Sequence, residues 1–217
     1  RDLEFTPEDF NGSSAMFSLT QNDYTKAMYP FDFKFTVRYT LKADGITVTY
    51  RVRNDSDAEM PFCIGAHPAF ATPGDMNGYR LQFLRPGTAA IPNYNLETGL
   101  HEEHNRRELM KDSTDLRLSH KMFYEDVCYF DKVVSRQVEL LNSENIGVRV
   151  DYPDFTSLGV WQAKDAPFLC IEPWCGSADF DDCSGVFAEK RGIEILAPGA
   201  EKTFTYAITA VEHKAKV

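Results

Sequence analysis

Two short stretches of the chain concentrate residues able to move protons. The first is Gly65-Ala66-His67-Pro68-Ala69-Phe70, preceded by the apolar run Met60-Pro61-Phe62-Cys63-Ile64. A histidine that leaves an apolar run and is followed at once by proline sits at a strand end with a fixed exit direction, because the proline ring restricts its own φ and the residue before it. Such a histidine is held. It is either a structural residue with satisfied nitrogens or a functional one. The second stretch is Phe168-Leu169-Cys170-Ile171-Glu172-Pro173-Trp174-Cys175-Gly176. Carboxylates are seldom buried without a partner or a purpose, and strand alternation puts Glu172 on the same face as Cys170 and Phe168. Beside Trp174 in a half-dry pocket its pKa rises and it suits a general base. The other reading is a rim glutamate paired with an arginine, and the local residues weigh the two equally.

Metal and redox chemistry have less support. The cysteines are Cys63, Cys128, Cys170, Cys175 and Cys183, an odd number with no Cys-x-x-Cys pair. Cys63, Cys128 and Cys170 lie in apolar runs and read as buried free thiols in a reducing cytoplasm. No tetrahedral set of ligands stands at recognisable spacing, so no zinc site is expected. His101, His104, His120 and His213 fit no motif and read as surface residues.

The elements that must position these groups are strands. In residues 33–41, Phe33, Phe35, Val37, Tyr39 and Leu41 alternate with polar neighbours. Ile46, Val48, Tyr50 and Val52 do the same after a turn ending in Asp44-Gly45. Period-two alternation about Asp-Gly predicts an antiparallel hairpin. Further strands are expected at 17–20, 80–84, 136–141, 146–152, 157–162, 168–174, 192–196 and 202–212, with 128–133 ambiguous. Helical signals are few, a single turn at 7–10 and another at 106–112. Residues 86–125 show the least regular pattern and read as a long excursion that is either disordered or functional, as a lid or a wall of a site. Many short strands separated by turn signals imply a sandwich or barrel.

A chain of 217 residues suits one large all-β domain or two small ones. Its 43% hydrophobic and 26% charged residues are an ordinary globular balance. The net charge of −10 argues against nucleic acid or an anionic membrane as partner and leaves neutral small molecules open. No apolar run approaches the 18 residues or more of a membrane span.

Taken together and in this order, the segments around His67 and Glu172 resemble the aldose 1-epimerase family, and more narrowly its bacterial LacX-like branch. The stretch from Ser157 to Phe180, the segment Glu189 to Ile193 and the closing Leu196-Ala197-Pro198-Gly199 agree, so the resemblance covers essentially the whole chain. It implies an all-β fold, a large antiparallel β-sandwich of the galactose mutarotase type, and a small-molecule sugar as partner. It also implies His67 as general acid, Glu172 as general base, and no metal or redox cofactor. A third family position, an aspartate that holds sugar hydroxyls, is matched best by Asp126, with Asp131 the alternative. Arg1 matches the arginine closing the family's His-Gly-Phe-Ala-Arg segment, a substrate-binding position. On this resemblance residues 1–217 form a single domain lacking its N-terminal strands, whose open edge is expected to pair with a second copy in a homodimer, to stay bound to an excised N-terminal segment, or to be covered by the start of a longer chain. The activity implied is interconversion of the α and β anomers of a free aldohexose. The alternatives are a hexose-6-phosphate 1-epimerase, which wants a basic patch, and a non-catalytic carbohydrate-binding domain, which has no use for an acid–base pair. A glycosidase needs two carboxylates flanking the bond, where the motifs supply one carboxylate and one histidine.

Overall fold

Alternation of Phe, Val and Tyr with polar residues does produce the expected hairpin. Val37 lies opposite Tyr50 and Leu41 opposite Ile46 across an unbroken antiparallel register. The computed structural model describes residues 3–214, and these hold sixteen strands. They are β1 Thr6–Asn11, β2 Ser14–Thr20, β3 Phe33–Leu41, β4 Gly45–Asn54, β5 Met60–Phe62, β6 Ile64–Gly65, β7 Ala69–Ala71, β8 Arg80–Asn95, β9 Leu100–Arg117, β10 Cys128–Phe130, β11 Gln137–Leu141, β12 Ile146–Asp151, β13 Ser157–Trp161, β14 Phe168–Cys175, β15 Glu194–Leu196 and β16 Glu201–Glu212. One α-helix, α1 Asp23–Met28, and three short 3-10 turns accompany them among the described residues.

Nine strands make the larger sheet, in the order β1-β2-β3-β4-β16-β12-β11-β8-β9. The smaller sheet runs β10-β13-β14-β6, with β7 also on β14, and β15 pairs β5. All pairings between these strands are antiparallel. Val48, Leu81, Phe83, Val138, Val150 and Phe204 of the large sheet share one core with Phe130, Leu158, Val160, Leu169 and Ile171 of the small one. Phe83 meets Phe130 across it at 5.7 Å between centroids. The β-sandwich is therefore as expected. Since successive strand residues point to opposite faces, the inward turn of Leu169 and Ile171 sends Cys170, Glu172 and Trp174 to the face of the small sheet away from the core.

Three local expectations are corrected. Residues 7–10 form part of β1, where Phe10 packs edge-on against Phe17 at 5.6 Å. Residues 106–112, rich in helix formers, lie within β9, because pairing with β8 overrides local propensity. The supposed irregular excursion 86–125 is largely the arms of β8 and β9. Their register shifts at four places between Gln82 and Asn93, and bulges admit Pro86, Gly87 and Pro92 while erasing the alternation a reader looks for. Helix α1 was not expected. Its cap is reciprocal: Asn22 Oδ1 accepts from Thr25 N and Thr25 Oγ1 accepts from Asn22 N, each at 2.9 Å.

Candidate active site

Strand β14 carries Glu172 and also fixes His67. Ala66 N donates to Pro173 O at 3.0 Å and Ile171 N donates to Pro68 O at 3.2 Å. The residues on either side of His67 are thus tied to the strand that holds Glu172, and β6 and β7 pair with its two ends. More than a hundred residues apart in sequence, His67 Nε2 and Glu172 Oε1 stand 3.4 Å apart. The histidine side chain is 63% exposed and the glutamate 3%. Burial pushes the Glu172 carboxyl up to about 7, the nearby Asp126 charge adds to the rise, and a hydrogen bond from the Trp174 side chain opposes it. A carboxyl poised near neutral pH is what a general base at physiological pH requires.

Trp174 lies over two glycines. A Cβ on Gly65 would come 2.5 Å from the indole Cδ1, and one on Gly159 would come 2.8 Å from Cζ2. Only hydrogen at both positions leaves room for the ring beside Glu172. Two adjoining cavities of about 290 and 410 Å³ share His67, Glu172 and Trp174. The smaller is walled further by Tyr94, Asp126 and Trp161. Another cavity of about 290 Å³ within residues 178–191 contains no comparable acid–base pair.

The structure separates the two candidate aspartates. Asp126 lines the smaller cavity with φ at +114°, a strained value for a residue other than glycine. Its Oδ1 accepts from Val127 N at 2.6 Å. Asp131 instead holds Arg106 through two bonds of 3.0 and 2.8 Å. Arg1 lies outside the described residues.

One histidine reading is corrected. His104 is exposed, while His120 bonds Gln162 and His213 bonds Glu139. His101 is fully buried and borders the smaller cavity. Its ring stacks on Tyr129 at 4.7 Å and meets Tyr94 and Phe180 at 5.3 and 5.2 Å. Neither ring nitrogen has a hydrogen-bond partner among the described residues. Burial, its largest influence, depresses its pKa to about 4. The following Glu102-Glu103-His104 hides this in the sequence. What buries His101 is a loop nearly 80 residues on: His101 N donates to Asp179 O at 2.8 Å and Asp181 N donates to His101 O at 2.9 Å. Cys63 is corrected as well, being an exposed free thiol, whereas Cys128 and Cys170 are buried as expected.

Comparison with known proteins agrees with this architecture. A family model described as aldose 1-epimerase matches residues 1–209. The chain belongs to the aldose 1-epimerase family. Its similarity to the chromosomal LacX protein of Lactococcus lactis subsp. lactis is 32% identity over 216 residues, spanning 96% of this chain and 72% of that one. The plasmid LacX protein of the same organism matches equally, at 32%. Among solved structures, a galactose mutarotase related enzyme from Lactobacillus acidophilus superposes with a TM-score of 0.89 at 28% identity, covering 99% of this chain and 75% of that one. A galactose mutarotase-like protein from Lactobacillus casei superposes at 0.84 with 24% identity over 97% and 74% of the two chains, which speaks for the fold. Membership of the aldose 1-epimerases supports an isomerase-type enzyme acting on a sugar. No helix among the described residues is long and apolar enough to cross a membrane.

Proposed function

We propose that the protein interconverts the α and β anomers of a free aldohexose, with His67 as acid and Glu172 as base. The observation that carries this reading is the 3.4 Å contact between an accessible imidazole and a buried carboxyl poised near pH 7. Glu172 takes the proton of the C1 hydroxyl while His67 protonates the ring oxygen. The C1–ring oxygen bond breaks, the aldehyde forms, the C1–C2 bond rotates, and reclosure on the other face gives the other anomer. The roles reverse for the return direction. Acid and base need not stand a ring's width apart, because the two oxygens they serve share one carbon. The exposed His67 is the partner free to shift when sugar enters.

Asp126, at the cavity wall, is proposed to accept hydrogen bonds from ring hydroxyls. A neutral sugar is favoured over a phosphorylated one. Among the described residues, the two cavities that share His67 and Glu172 have no lysine or arginine in their lining, and Lys190, Arg106 and Arg191 are engaged elsewhere, with Asp179, with Glu103 and Asp131, and with Glu103 and Asp182. A purely binding domain gains nothing from burying a glutamate at the cost its raised pKa records. The free thiols, two of them exposed, support a reducing compartment such as the cytoplasm. Polarimetry of freshly dissolved α-anomers tests the reading. Glu172→Gln and His67→Asn should each slow mutarotation by about 10²–10⁴-fold with sugar affinity nearly unchanged. Full activity in both variants would refute the mechanism.

A further inference from the structure

The outward face of β14 presents a third group to the acid–base pair. Cys170 stands two residues before Glu172 on the same face of the strand. The ligating atoms of His67, Cys170 and Glu172 all lie within 4.8 Å of one another. Spacing along the chain gives no hint of this, since residue 67 reaches residues 170 and 172 only through the backbone bonds that tie it to β14. The Cys170 side chain is 1% exposed. Among the described residues its thiol makes no hydrogen bond, whereas Cys128 donates to Met122 O at 3.4 Å and Cys175 to Asp154 O at 3.7 Å.

We propose that His67, Cys170 and Glu172 form a three-ligand site for a borderline-soft divalent cation of the zinc class, which occupies the acid and the base together and so inhibits the enzyme. The ligand set is one imidazole, one thiolate and one carboxylate. Zinc binds these at ~2.0–2.3 Å in a tetrahedron, which brings ligand atoms to roughly 3.3–3.8 Å from one another. His67 and Glu172 already stand at 3.4 Å, and the exposed His67 ring can close the remaining gap to sulfur without disturbing the strand. A thiolate and a carboxylate offset the dication's charge, so a neutral complex replaces groups on a largely buried face, where an unpaired charge is costly. Hard cations are disfavoured, because calcium takes six to eight oxygen ligands and magnesium a near-ideal octahedron, while a thiolate selects softer metals. The fourth position opens to the cavity and is left to water. On binding, the Cys170 thiol gives its proton to solvent as the metal–sulfur bond forms.

Cobalt(II) is the probe, because a thiolate ligand gives a charge-transfer band in the near ultraviolet that nitrogen and oxygen ligands do not. The full chain, reduced and titrated with Co²⁺, should develop this band and lose it when Zn²⁺ is added. Cys170→Ser should abolish the band, while Cys63→Ser and Cys183→Ser, which remove the exposed thiols, should keep it. His67→Ala, a change at an exposed side chain that leaves the core intact, should weaken Zn²⁺ binding by at least about 10–100-fold, the loss that even outer-shell changes bring. No band in the parent, a band that survives Cys170→Ser, or unchanged Zn²⁺ affinity in His67→Ala would each overturn the proposal. If Cys170→Ser does not fold, His67→Ala decides. The metal site does not rest on mutarotase activity: an inactive chain that shows the band refutes the proposed function alone. An active chain that Zn²⁺ does not inhibit, and that shows no band, refutes the metal site alone.

Discussion

Replacing Glu172 by glutamine should make the protein more stable as well as inactive, and the gain should depend on pH in a defined direction. Glu172 ionises near 7 in the folded protein against 4.5 for a free side chain, chiefly because it is buried. A raised carboxyl pKa means that the folded state holds the proton more tightly than the unfolded chain does. Its stabilising contribution is therefore complete below pH 4.5 and lost as pH rises toward 7. At about 1.4 kcal/mol per tenfold difference in proton affinity, the loss approaches ~3 kcal/mol by pH 8. Glutamine keeps the shape and never ionises. At pH 8 the variant should therefore unfold up to ~3 kcal/mol harder than the parent, and near pH 4 the two should be alike. For a domain of this size that is a rise in melting temperature of roughly 6–12 °C. Urea titrations at pH 4.5, 6 and 8, followed by circular dichroism, would measure it. A difference that stays constant across pH, or a variant less stable at pH 8, would show that Glu172 is not held against its own ionisation and would remove the physical basis for calling it a base.

Other outcomes follow from neighbouring groups. Asp126→Asn removes a like charge that raises Glu172, so the acid limb of the pH–rate profile should move to lower pH while KM rises, as rates taken across pH 5–8 would reveal. His101→Phe keeps the aromatic packing and removes a group whose pKa is pushed from 6.5 to about 4. The parent should lose as much as ~3 kcal/mol between pH 6.5 and 4 from this residue, and the variant should not, which acid denaturation curves would reveal. Glu103 binds Arg106, Arg191 and Lys132 at once, joining the β9 arm to the rest of the molecule. With exposed pairs worth ~0.2–1 kcal/mol each, Glu103→Gln should speed amide exchange in residues 93–104 roughly tenfold.

What could be read in the sequence and what could not divide on physical grounds. The β3–β4 hairpin was legible because one strand face is buried, and burial imposes strict alternation on Val37, Val48 and Val52. Glu172 was legible because a carboxylate closing an apolar run is costly and so conspicuous, and His67 because Pro68 fixes its direction. The β8–β9 arm was not, since four register shifts scramble the alternation and the composition of residues 106–112 favours helix. His101 was hidden for a related reason. It is buried by Phe180 and Tyr129, contacts distant in sequence, while its immediate neighbours are charged. Asp126 and Asp131 both read as loop or turn aspartates from their local residues, and what separates them is tertiary: Asp126 lines the cavity while Asp131 is held by Arg106.

The chain has two tryptophans, and both stand in the candidate site: Trp161 meets the His67 ring edge-on at 6.0 Å and Trp174 lies over the paired glycines beside Glu172. The intrinsic fluorescence of this protein is thus a local optical signal. A sugar that emits no light would announce its arrival through the indoles, with no label or coupled enzyme. An unfolding curve recorded by tryptophan emission would follow the small sheet's outer face, and its midpoint should precede that of the backbone signal wherever this face loosens before the shared core.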